Sequence, residues 1–146
     1  MSKVYFCVLA LAFLFSELSN VEAKMTLSQM KSVAKPWSKS CASKVGMDDD
    51  LVAAHRRGEF PEDEKLMCYL LCQTKMSKIM DANDKIDLVT VLNQLSTVGE
   101  PANVERMMTA FETCLGKMTA TEPCRLAYDY SKCYYEVDAE VLLYYN

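Results

Sequence analysis

Residues that break helices are scarce in this chain, which has four glycines and four prolines. All but Pro36 fall between stretches of helical periodicity, and no alternating apolar pattern meets a tight-turn pair. The fold class read from this is all-α, with about six helices. Histidine is limited to His55, followed by Arg56. A secreted helical phospholipase would need a His-Asp pair beside a calcium loop, and no serine or cysteine nucleophile motif lies near His55, so no catalytic residue is expected and His55 reads as a surface residue. No apolar run reaches the twenty or so residues a membrane span needs. The chain has no Asn-x-Ser/Thr sequon. Its formal net charge is −4 and no basic patch is legible, so nucleic acid is not an expected partner.

What is present begins with Met1-Ser2-Lys3, an apolar run from Val4 to Phe15, and Val21-Glu22-Ala23 as a cleavage point. This reads as a secretory signal peptide over residues 1–23, so the protein is expected to be secreted and extracellular. Removing Lys3, Glu17 and Glu22 from 16 basic and 20 acidic residues leaves a net charge of −3 on residues 24–146, one domain by size. Cys7 leaves with the signal, and Cys41, Cys68, Cys72, Cys114, Cys124 and Cys133 stay. An even cysteine count in a secreted domain reads as three disulfides, with the pairing open. Each contributes about 2–4 kcal/mol, so a domain so stapled tolerates an interior left partly unfilled.

The rest of the chain is organised around Leu66–Cys72, apolar on every side, within a central helix expected from Pro61 or Glu62 to Ile79. Cys68 and Cys72 share one face, with Cβ atoms about 5–6 Å apart. A disulfide wants roughly 3.5–4.5 Å there, so each takes a different partner. Zinc would need a nearby histidine or a second close cysteine pair, so no metal is expected. Before this helix, Thr26 and Gln29 form a capping box for a helix that Pro36 should kink or end, with Trp37 to Val45 as a second piece. Trp37 reads as a packing residue. Asp48-Asp49-Asp50 opens a short helix ending near Gly58. After it, Asp81 to Lys85 resembles the start of a calcium loop, but Ile86 and Leu92 stand where glycine and glutamate are required, so it reads as a turn. Leu88, Val91, Leu92 and Leu95 make one stripe. Asn103 can cap the next helix, with Val104, Met107, Met108, Phe111 and Leu115 as its stripe. A last helix starts near Thr121, and the tail from Glu136 ends in Val141-Leu142-Leu143-Tyr144-Tyr145-Asn146, apolar enough to fold back over the body. Asp138 and Glu140 beside that apolar end predict a tail latch that loosens in acid.

Periodicity alone leaves a packed core and a cavity equally open. The methionines and tyrosines of the last helices would make an adaptable apolar lining. The spacing Cys41-x26-Cys68-x3-Cys72-x41-Cys114-x9-Cys124-x8-Cys133, with the segment from Gly58 to Tyr69, resembles the insect odorant-binding proteins, the pheromone-binding and general odorant-binding family, over nearly the whole secreted chain. The resemblance implies the pairs Cys41–Cys72, Cys68–Cys124 and Cys114–Cys133. It implies six helices around an apolar cavity that carries odorants or pheromones to chemosensory receptors, as a monomer or weak homodimer, with no cofactor. Its pocket positions map to Leu88, Val91, Leu92, Leu95, Met107, Met108, Phe111 and Tyr134, with Leu142, Leu143, Tyr144 and Tyr145 as a lid and a tyrosine hydroxyl as hydrogen-bond donor. The tail is too short for the long tail of moth pheromone carriers, which forms an extra helix in acid. The alternative is a non-sensory secreted protein of the same fold, acting through protein contacts or carrying another lipid-like ligand.

Overall fold

The computed structural model describes residues 24–142; the expected signal peptide and residues 143–146 lie outside the described residues. Six helices follow in order: α1 Leu27–Val45, α2 Asp49–Arg56, α3 Glu64–Met76, α4 Leu88–Val98, α5 Pro101–Leu115 and α6 Pro123–Asp138. The described residues contain isolated bridges only, Met25 with Gly99 and Met80 with Ile86.

The capping box at Thr26 and Gln29 starts α1, and Gly46, at φ 64°, closes it in the left-handed conformation. Between them Pro36 neither ends nor divides the helix. Its ring deprives the Ser32 carbonyl of a partner, but Ser32 and Pro36 are both exposed, so water can take the place of the lost N–H. Met30, Ala34 and Cys41 meanwhile pin the opposite face in the core. Trp37 packs against that core.

The central helix α3 is shorter than expected at both ends. Asp63 caps it by accepting from Lys65 N at 2.8 Å and Leu66 N at 3.2 Å, and beyond Ser77 the backbone turns at Lys78, φ 57°. It is not buried on every side. Leu66, Tyr69, Leu70, Gln73 and Thr74 form one buried stripe, while Met76 is exposed. The turn that follows is held by Asp81, whose carboxylate accepts from the backbone N–H of Asn83 and Lys85. Helix α5 starts two residues before Asn103, because Pro101 suits a first helical position where no N–H is needed. Asn103 instead donates to Glu100. Glu122 caps α6, which runs past Glu136 to Asp138.

Two apolar clusters result. One gathers the first half of α1, α4, α5, the later turns of α6 and the tail; the other gathers the end of α1, α2, α3 and the start of α6. The α3–α6 contact is the most extensive between any two helices. Three disulfides join the parts: Cys41–Cys72 ties α1 to α3, Cys68–Cys124 ties α3 to α6, and Cys114–Cys133 ties α5 to α6, with Cα separations of 5.7, 4.6 and 5.7 Å.

The α4–α5 turn leaves no room for a side chain. A Cβ on Gly99 would lie 2.7 Å from Val104 Cγ2 and 3.0 Å from the Leu95 carbonyl oxygen. Gly99→Ala should therefore destabilise the fold by about 1–3 kcal/mol, measured by urea denaturation; an unchanged midpoint would show that the turn relaxes freely.

Candidate ligand cavity

Val91, Gln94 and Leu95 of α4 and Met107 and Phe111 of α5 face an apolar cavity. Tyr130 and Tyr134 of α6, with Ser77 and Ile79 after α3, complete its walls. The chain end closes it: Val141 is fully buried and Leu142 is 3% exposed, and both line the same space. The aromatic wall is continuous, Phe111 meeting Tyr130 edge to face and Tyr130 meeting Tyr134 at a tilt, each pair at 5.6 Å between ring centres. Its volume is about 50 Å³, well short of the ~150 Å³ of an engineered apolar cavity that holds benzene.

Of the residues singled out in the sequence, the fold brings Val91, Leu95, Met107, Phe111, Tyr134 and Leu142 to this cavity. Leu88 and Met108 belong to the same core without forming its walls. Leu92 is 43% exposed, on the solvent side of α4. Leu143, Tyr144 and Tyr145 lie outside the described residues. The sequence reading did not single out Gln94, Ser77 or Ile79; it included Tyr130 only among the tyrosines of the last helix and Val141 only within the apolar tail. Gln94 carried a signal: it stands three residues after Val91 and one before Leu95, a polar side chain within an apolar stripe.

The Tyr134 hydroxyl donates to the Met107 carbonyl at 3.0 Å, so its proton ties α6 to α5. Gln94, half-buried in the wall, is the amide that can both donate and accept.

The tail is anchored from outside. Arg106 Nε and Nη2 each donate to Asp138 at 2.9 Å, and Nη2 also donates to Glu140 at 2.9 Å. The guanidinium is held above its ordinary pKa by its hydrogen bonds to Glu140 and Asp138. A planar fork on a carboxylate fixes direction as well as charge. We expect Arg106→Gln to speed amide exchange at Val141 and Leu142 while leaving α3 protected. Equal exchange in both proteins would show that apolar contacts alone seat the tail.

Among the described residues no group of three or more metal-binding side chains occurs, and no helix is long and apolar enough to cross a membrane. Six helices bound by three disulfides thus surround a small apolar cavity, with the chain end across it. The chain belongs to the PBP/GOBP family, whose model matches residues 23–137. It is 25% identical over 132 residues to odorant-binding protein 22 of Aedes aegypti, covering 90% of this chain and 88% of that one. Among solved structures it is similar to odorant binding protein 4 of Chrysopa pallens, at 30% identity and TM-score 0.69, covering 80% of this chain and 95% of that one. Odorant binding protein 5 of Apis mellifera matches at 27% identity and TM-score 0.67, over 84% and 99%.

Proposed function

We propose that this protein is a secreted carrier of small hydrophobic molecules, odorants or pheromones, which it holds in the cavity and delivers to chemosensory receptors. The observation that carries the reading is that Val141 and Leu142 turn back into the apolar space walled by Met107, Phe111 and Tyr134. A chain end seated there is a removable part of the core. A guest larger than benzene needs more volume than the closed cavity has, so it must displace those two side chains. Burying about 300 Å² of apolar guest at ~25 cal/mol/Å² contributes roughly 7 kcal/mol before entropy losses. Giving up a buried valine and leucine takes back about 1.5–3 kcal/mol each. Binding is therefore a competition between guest and tail, with Gln94 as the group that orients a polar end.

Deleting Val141 to Asn146 should tighten binding of an apolar fluorescent probe by about tenfold, since part of that cost disappears. Arg106 holds the tail through its pairs with Asp138 and Glu140, so a latch that loosens in acid would show as a change in the full chain's affinity between neutral and acid pH that is smaller in the shortened chain. An identical pH dependence in both would remove the latch from the account.

The small cavity favours a second reading, a protein of the same fold whose interior is filled and whose surface binds another chain. The probe decides: if neither the full nor the shortened chain takes it up, or if aliphatic alcohols fail to displace it, the interior is ordinary core and this second reading replaces the first.

A further inference from the structure

The folded chain has a basic face that its overall acidity hides. Lys31, Lys35 and Lys39 stand one turn apart along one side of α1, where like charges repel and weaken a helix. None of the three is ion-paired among the described residues, whereas Lys65 and Lys75 are. Arg57, Arg106 and Arg125 are paired too, and Arg56 is not. Lys35, Lys39 and Arg56 border one cleft between α1, α2 and α3, with Asp49 as its acidic residue. The cleft has a volume of about 950 Å³, against about 50 Å³ in the central cavity.

The wall of this cleft rests on a buried polar cluster. Gln73, fully buried, donates from Nε2 to Ser38 Oγ at 2.8 Å and to the Tyr69 hydroxyl at 2.7 Å. Ser38 and Tyr69 both line the cleft, and Tyr69 is 3% exposed. Both Gln73 Nε2 protons are thus committed, and the Ser38 and Tyr69 hydroxyls that accept them keep protons of their own to donate. Three cations and these two hydroxyls line the cleft beside a single carboxylate. Beside them Pro36, Ala42 and Val52 supply an apolar wall.

We propose that this cleft is a second binding site, separate from the central cavity, for the carboxylate head of a small amphiphile free in solution. The head sits among Lys35, Lys39 and Arg56 and accepts from the Ser38–Tyr69 pair, while the chain lies along Val52 and Ala42. Asp49 in the same cleft favours a singly charged head over a doubly charged one.

The test uses the folded protein with its disulfides intact, titrated with hexanoate and with hexanol and followed by amide chemical shifts. Hexanoate should move residues 35–42, 52–56 and 69–73 in a saturable way, and hexanol should not. Lys39→Gln with Arg56→Gln should weaken hexanoate by about tenfold and leave affinity for an apolar probe in the central cavity unchanged. Tyr69→Phe, which keeps the ring, should also weaken hexanoate. The proposal is overturned if hexanoate and hexanol shift the same cavity residues, or if the double variant binds hexanoate as the parent does. Binding to phosphatidylglycerol vesicles with no response to hexanoate would overturn it too, since the anion recognised would then be a lipid surface.

Discussion

Replacing Cys68 and Cys124 together by alanine is expected to cost the fold about 4 kcal/mol, the largest loss from any of the three bridges. This bond closes a sequence separation of 56, against 31 for Cys41–Cys72 and 19 for Cys114–Cys133. Closure of a longer loop removes more freedom from the unfolded chain, and the same relation gives about 3 kcal/mol for the shortest. Cys68–Cys124 also joins the two helices that pack most extensively, α3 and α6, so its loss loosens the frame that fixes Tyr130 and Tyr134 in the cavity wall. Against a net stability of about 5–15 kcal/mol, that is between a quarter and most of the total. Urea denaturation of the three paired Cys→Ala variants checks the order. If the Cys114/Cys133 variant proves the least stable, packing at those sites outweighs loop length and the entropic account is wrong here.

The frame of the protein was legible because its determinants are local or covalent. Thr26 and Gln29 specified the start of α1, Pro123 fell in the first turn of α6, and the cysteine spacing led through the family resemblance to the three pairs seen in the structure. Periodicity carried less about which turn of a stripe faces the cavity. Leu88, Val91, Leu92 and Leu95 are equivalent on a helical wheel, yet α4 packs on α5 alone among its larger contacts, and that one-sided support leaves Leu92 in solvent. Burial of polar groups was illegible for a different reason. Gln73 is buried because Ser38, thirty-five residues away, and Tyr69 accept from it. Such a partner becomes visible only when α1 is docked on α3. The basic face of α1 was missed because Lys31, Lys35 and Lys39 are separated in sequence by neutral residues and become neighbours only on the helix.

His55 is where the sequence reading failed most, and it carries the second large effect. Expected at the surface, it is 2% exposed. Helix α2 has only eight residues and needs an anchor, and the imidazole supplies one by meeting Phe60 and Tyr69 edge to face at 5.3 and 5.7 Å. Burial away from water disfavours the imidazolium and lowers the pKa from 6.5 to about 4. The folded protein thus binds this proton more weakly than the unfolded chain does. Stability is therefore full above the unfolded value of 6.5 and declines as pH falls toward 4, where the loss levels off at about 3 kcal/mol. The carboxylates of Asp81 and Asp87, held low by their hydrogen bonds, lose their contribution only at still lower pH, so the histidine dominates the window between 6.5 and 4. Unfolding free energies at pH 7 and pH 4.5 should differ by about 2 kcal/mol in the parent. In His55→Leu, which keeps much of the volume and cannot titrate, the difference should largely vanish. A parent and variant that lose stability in parallel would show that other groups, and not this buried ring, set the response to acid. The same weakening would act on α2, which carries Arg56, so the outer cleft should loosen over the pH range in which the ring takes up its proton.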